Sequence, residues 1–210
     1  MTAAACPAPT VPGLETALLA ALAGDEAGFI ALYRDLQPRL LRYATALVGS
    51  EAEDVTAETW LHVAKDLSRF SGDLDGFRGW VTRICRNRAM DSARDRARRP
   101  TQVLELSELL DSPALADVGR TDGTAFEQLD TRWALAQILA LPRTEAEAVL
   151  LRAVVGLDAP AAGRVLGKRP GAVRVAAHRG LRRLAERLEA GSSPDTDGTD
   201  VVRPREAGDA

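Results

Sequence analysis

Cysteine and histidine are nearly absent, with two of each in 210 residues. Cys6 and Cys85 share no short spacing, and His62 and His178 stand alone. A zinc site needs about four clustered ligands, so no metal centre is expected. Aromatic residues are scarce at 4%, and the weight of Ala, Leu and Arg favours helices over sheets. No apolar run approaches the roughly 18–20 residues that cross a bilayer. Met1 to Pro12 lacks the basic start and long apolar core of a signal peptide. The protein is expected to stay in the cytoplasm, without membrane insertion. A Ser/His/Asp set and a phosphate-binding glycine loop are missing too, so the chain reads as a non-enzyme with no cofactor.

What is present is charge, 27% of residues, laid out in blocks that the net charge of −3 conceals. Eight arginines between Arg78 and Arg99 are opposed only by Asp91 and Asp95. Eight basic residues between Arg164 and Arg187 are opposed only by Glu186. Between these blocks, Val103 to Asp130 holds seven acids against Arg120, and the tail from Glu189 is mainly acidic. Two basic blocks around an acidic one predict two polyanion-binding surfaces. Solvated helix faces would carry the same charges, so charge alone does not choose.

Periodicity divides the chain. Residues 1–23, rich in Ala, Pro and Thr, read as a flexible extension in which Leu14 to Leu22 can add a short helix. Asp25 is an N-cap candidate for a helix to about Val48, with Phe29, Leu32, Tyr33, Leu36, Leu40, Tyr43, Ala44 and Leu47 on one face. Pro38 is expected to kink or split it. Ser50 with Glu53 reads as a capping box. The helix behind it has Ala57, Trp60, Leu61, Ala64 and Leu67 as its expected inner stripe. Asp54, Glu58, His62 and Lys65 fall on a polar face. After a loop at Ser71 to Gly76, a third helix aligns Phe77, Trp80, Val81, Ile84, Cys85 and Arg88. Cys85 therefore reads as a small buried hydrophobe. Arg78, Arg83, Arg86 and Arg94 lie mostly off that stripe.

Pro100 closes a unit spanning residues 24–100. Residues 101–124 lack sustained periodicity and read as an acidic linker. A second helical unit covers 125–190, and 191–210 reads as a disordered acidic tail. The fold class is all-α: two small helical domains joined by a flexible linker.

The sharpest local pattern runs from Thr144 to Leu188. A short helix from Asp158 to Leu166, a turn at Gly167 and a basic helix from Pro170 match a helix-turn-helix, whose second helix enters the major groove. Pro170 suits a first turn, where its missing N–H costs nothing. Val173, Ala177, Leu181 and Leu184 are its expected buried stripe, with Arg174, His178, Arg179 and Arg182 outward. Gly163 stands inside the first helix at a cost of roughly 1 kcal/mol relative to alanine.

A family resemblance now joins these pieces. The run Ala52-Glu53-Asp54-Val55-Thr56-Ala57-Glu58-Thr59-Trp60-Leu61 resembles the polymerase-binding helix of sigma factors. Gly76-Phe77-Arg78-Gly79-Trp80-Val81-Thr82-Arg83-Ile84-Cys85-Arg86-Asn87-Arg88-Ala89-Met90-Asp91 resembles their promoter-melting helix, led by tryptophan and ending in Ile-x-x-Asn and an Asp. Leu141-Pro142, Val149 to Leu157, and Pro170-Gly171-Ala172-Val173 with His178-Arg179 resemble their fourth region. The likeness covers roughly residues 25–100 and 130–188, in the family's order. The long joining region of housekeeping sigma factors is missing, as in the extracytoplasmic-function group. Ala161, Ala162, Val175 and Ala176 depart from the family's usual residues, so no relative's upstream sequence preference carries over.

The resemblance implies roles. Asp54, Glu58, Thr59 and His62 would bind core RNA polymerase. Arg78, Trp80, Arg83, Arg86, Asn87, Asp91 and Arg94 would meet the opened −10 element. Lys168, Arg169, Arg174, Val175, His178, Arg179 and Arg182 would meet the −35 element. The implied partners are core polymerase (its beta-prime clamp and beta flap), promoter DNA and an anti-sigma factor. Two rivals stand beside it: a helix-turn-helix regulator with an N-terminal sensor domain, and a helical adaptor. The arginine block after Trp80 argues against both, because a sensor domain gains nothing from it.

Overall fold

A computed structural model describes residues 13–98 and 133–191. Expectations for the first twelve residues, the linker, the start of the second unit and the tail beyond 191 lie outside the described residues. Every regular element among those described is helical.

Helix α1 (Leu14–Leu22) buries Ala17, Leu18 and Ala21 against α2 (Glu26–Val48). The short helix that Leu14 to Leu22 can add within the extension is thus present, and it is docked. Gly28 makes the contact possible, because a Cβ there would sit 2.6 Å from the Ala17 carbonyl oxygen. Asp25 caps α2 as expected, its Oδ1 accepting from the Ala27 N–H at 3.2 Å. Pro38 does not split α2. Leu36 and Leu40 on either side are fully buried, and that packing outweighs one missing backbone bond.

The capping box does not form. A 3₁₀ turn at Gly49–Glu51 leads into α3 (Ala52–Asp66), which carries no side-chain cap. The inner stripe of α3 is also rotated from the expected one. Val55, Thr56, Thr59, Trp60, Val63 and the following Leu67 are buried, while Ala57 and Ala64 are exposed and Leu61 is 73% exposed. The two threonines can face inward because their hydroxyls donate to the Glu53 and Val55 carbonyls at 3.0 and 2.7 Å. A buried hydroxyl with a partner loses its desolvation penalty.

Helix α4 (Leu74–Arg98) begins inside the expected loop, where Asp73 Oδ1 accepts the Gly76 N–H at 2.7 Å. It buries Phe77, Gly79, Val81, Thr82, Cys85 and Ala89. Arg88, expected on the stripe, points out and lies 3.6 Å from Glu58 on α3.

In the second unit, residues 133–139 are helical (α5), followed by α6 (Arg143–Val149), which widens into a π-helical turn at Leu150–Val154. Gly156, at φ 83°, ends it. Asp158 caps α7 (Ala159–Leu166) through the Ala161 N–H at 2.6 Å, and Gly167 closes α7 in the left-handed region at φ 65°. Helix α8 (Pro170–Gly191) follows. Its buried stripe is Val173, Ala177 and Gly180, whereas Leu181 is 49% exposed. Gly180 replaces the expected leucine because a Cβ there would meet Val149 Cγ2 at 2.7 Å. The two units touch: α4 packs against α7, and their buried residues form one apolar cluster.

Candidate nucleic-acid and polymerase interface

The outward face of α8 is built by what lies behind it. Val173 and Ala177 sink into the second unit, which leaves Arg174, Val175, His178, Arg179 and Arg182 exposed. Lys168 and Arg169 are exposed in the turn before it. All seven residues predicted for the upstream element are thus exposed. The turn that presents them depends on Gly163, where a Cβ would lie 2.6 Å from the Lys168 carbonyl oxygen. The helix-propensity cost of that glycine is offset by the close return of the chain. Arg182 is held by Glu186 at 2.8 Å. On the inner side, Arg183 Nε lies 3.4 Å from Glu145 on α6.

The residues predicted on α4 divide into two groups. Arg83, Asn87, Asp91 and Arg94 are exposed, with Arg94 bound to Asp91 at 2.6 Å. Trp80 is half-buried and stacks on Phe70 at 5.2 Å with rings 27° apart, Phe77 standing edge-on to Phe70 behind. Arg78 and Arg86 are tied into the protein. Arg78 is only 17% exposed and pairs with Asp35 on α2 at 3.0 Å and Asp75 at 3.6 Å. Arg86 Nη2 lies 3.5 Å from both carboxylate oxygens of Glu147 on α6. Farther along α4, Arg96 pairs with Glu51 at 2.9 Å and donates to the Val48 carbonyl at 3.0 Å.

On α3, Asp54 and Glu58 share one exposed face, and His62 pairs with Asp66 at 3.1 Å. Thr59 does not join them: it is fully buried, its hydroxyl turned inward. Leu61 does, one turn beyond Glu58 and one turn before Lys65, as an exposed apolar side chain. Periodicity alone counts it as core, since a leucine among leucines and alanines carries no mark of its outward position. Behind this face, Trp60 donates to Gln37 Oε1 at 2.6 Å and packs on Phe29 and Tyr33. Asp35, Phe70 and Glu147, which hold or stack against predicted site residues, were also missed. Their partners lie many positions away in sequence, beyond any spacing rule.

Burial raises the Cys85 thiol to about 12, and burial likewise raises the Tyr43 phenol. Among the described residues, no group of His, Cys, Asp and Glu is placed to hold a metal ion. No described helix is long and apolar enough to cross a membrane.

Comparison with known proteins agrees with this geometry. Residues 32–99 match the family described as Sigma-70 region 2, and residues 131–184 match Sigma-70, region 4. The chain is 31% identical to the ECF RNA polymerase sigma factor ShbA of Streptomyces griseus, over 78% of this chain and 89% of ShbA. It is 30% identical to SigD of Mycobacterium tuberculosis, over 88% of this chain and 89% of SigD. It is also 30% identical to BldN of Streptomyces coelicolor, a match over 80% of this chain that spans only 63% of BldN. The solved structure of CnrH in complex with the cytosolic domain of CnrY shares the fold at a TM-score of 0.58 and 21% identity, covering 86% of this chain and all of that one. The chain belongs to the extracytoplasmic-function RNA polymerase sigma factors, which direct promoter-specific transcription.

Proposed function

We propose that the three exposed faces divide the work of a sigma factor. The acidic face of α3, Asp54 and Glu58 with Leu61 and His62, docks on the beta-prime clamp of core polymerase, its carboxylates meeting basic residues around an apolar contact. Thr59 supports that helix from inside. On α4, Trp80 supports an unstacked base of the −10 element, Asn87 hydrogen-bonds a flipped base, and Arg83 and Arg94 hold phosphates of the opened strand. Asp91 orients Arg94. Arg78 and Arg86 reach DNA only after exchanging their carboxylate partners for phosphate. On α8, Arg174, Val175 and His178 reach base edges of the −35 element, while Lys168, Arg169, Arg179 and Arg182 anchor phosphates.

The second unit also contacts the beta flap, an anti-sigma partner restrains the protein, and the protein works in the cytoplasm without catalysing a reaction. The observation that carries this reading is the exposed basic side of α8 and the turn before it, where all seven predicted residues are exposed while Val173, Ala177 and Gly180 are buried. In-vitro transcription with sigma-free core polymerase on a genomic promoter pool tests it. Discrete start sites appearing only with this protein are expected. Transcripts unchanged by its addition would sink the reading.

A further inference from the structure

We infer that Glu145 on α6 is a positioning residue for the reading of DNA: through Arg183 it fixes the rotation of α8 about its own axis, and with it the base pair that Arg174 meets. The inference rests on the −35 reading proposed above. Five polar or charged side chains are buried among the described residues, and Glu145, 8% exposed, is the charged one. The four threonines return their hydroxyls to carbonyls of their own helices. Glu145 instead faces another element, its Oε2 lying 3.4 Å from Arg183 Nε on α8. That oxygen is buried and takes no aligned hydrogen bond among the described residues. A carboxylate held in this way adds little to stability, because desolvation opposes the Coulomb attraction and an apolar side chain of similar size would serve as well. What the charge adds is direction.

Rotation is what the rest of the contact leaves loose. Helix α8 turns Val173, Ala177 and Gly180 inward, and burial of short apolar groups is non-directional. At Gly180 no side chain keys into the neighbouring helix; a Cβ there would stand 2.7 Å from Val149 Cγ2 and 3.4 Å from Glu145 Cβ. The backbone of α8 thus lies close against α6 at a bare pivot, one turn before Arg183. Arg187, one turn farther on, donates to the Ala140 carbonyl at 3.3 Å, but that bond is exposed, where water competes for both groups. Glu145 is shielded from such competition, with 11% of its side chain exposed.

Geometry carries the restraint to the reading face. Arg183 follows Arg174 by nine positions. At about 3.6 residues per turn this sets them half a turn apart round the helix and about 13–14 Å apart along it. A hold on one flank therefore fixes the other. A helix with side chains has a radius of about 5–6 Å, so a roll of about 20° carries a side-chain tip roughly 2 Å. A bidentate base contact does not survive that, since its donors must lie about 2.7–3.2 Å from their acceptors.

Transcription by the full chain with core polymerase, from a promoter library randomised across the −35 element, tests the inference. Glu145→Gln removes the charge and keeps the shape, whereas Arg183→Gln removes the partner at a half-exposed site. Each should flatten preference about threefold or more at the position that Arg174→Ala relaxes, within the range for coupled neighbours. Thermal unfolding and the salt slope should stay close to wild type. The double variant should be no worse than either single one. A merely structural role would lower transcription from all sequences alike; that outcome, or an unchanged profile in folded Arg183→Gln, would overturn the inference. If Glu145→Gln failed to fold, Arg183→Gln would decide alone. A wild-type profile without any −35 preference would count against the −35 reading instead, and amide chemical shifts would then decide the rotation. Shifts in Arg183→Gln that reach residues 174–178 are expected, and shifts confined to one turn around position 183 would overturn it.

Discussion

At the scale of single residues, Gly163 shows how a local cost is repaid by a close approach. Helix propensity alone favours alanine there by roughly 1 kcal/mol. The Lys168 carbonyl, 2.6 Å from where a methyl would stand, rules it out. Gly163→Ala should therefore destabilise by about 1–3 kcal/mol, net of the propensity gain, with the urea midpoint falling and the helix-turn-helix loosening first. A midpoint that rises would mean that propensity wins. Cys85 makes a second prediction. Its folded value is raised from 9.0 to about 12 by burial, so between those limits the folded protein keeps a proton that the unfolded chain releases. This contribution is complete below pH 9 and is lost as pH rises towards 12. Urea midpoints measured from pH 8 to 11 should fall less steeply for Cys85→Ala than for wild type. Equal slopes would show that the thiol is not protected.

At the scale of elements, α3 carries the clearest test. Asp54→Arg with Glu58→Arg should weaken binding to core polymerase while circular dichroism stays unchanged. Among the described residues the tie broken is that of Glu58 to Arg88, both groups about half exposed, and such surface pairs contribute about 0–1 kcal/mol. Wild-type affinity in a folded double mutant would remove this face from the interface. On α8 the prediction separates reading from anchoring. Arg174→Ala, in the second turn, should cost about 1–3 kcal/mol and relax preference at one −35 position. Arg182→Ala lies two turns later, where the side chain already pairs with Glu186. It should weaken binding to all duplexes alike and flatten the salt dependence. Equal losses from both variants on specific and random duplexes would refute the division.

At the scale of the whole molecule, the proposed function makes a prediction about reach. If residues 101–124 are the joining segment that the sequence pattern predicts, about 25 residues would link the two units, and an extended chain of that length spans at most about 3.3–3.6 Å per residue, roughly 80–90 Å. A flexible coil of that length averages only about 25–30 Å. On the proposed function, bridging two promoter elements roughly 70 Å apart would require that segment to be drawn out. Deleting about 12 residues between Thr101 and Thr124 would leave a maximum span of roughly 45 Å. Run-off transcription should be abolished on promoters of unchanged spacing, while thermal unfolding shows both units intact. Full activity from that deletion would mean that the units do not bridge two elements.

Among the described residues, the existence of the main helices, the turn chemistry of the second unit and the placing of basic surface on α8 were legible in the sequence, because each depends on neighbours within about one turn. Asp25, Asp158, Gly156 and Gly167 act where their residue types predict. Other features depended on partners distant in the chain. Thr56 and Thr59 displaced Leu61 and Ala57 from the core of α3 because hydroxyls returned to the backbone can be buried, and periodicity counts a threonine as polar. The docking of α1 turned on the missing side chain of Gly28, and the packing of α8 on that of Gly180. In the sequence, Arg78, Arg83, Arg86 and Arg94 read alike, as arginines lying mostly off the apolar stripe of α4. In the fold, Asp35 and Glu147 claim Arg78 and Arg86, leaving Arg83 and Arg94 outward. Residue type sets which charges a helix carries; packing across long stretches of chain sets which of them remain open to DNA.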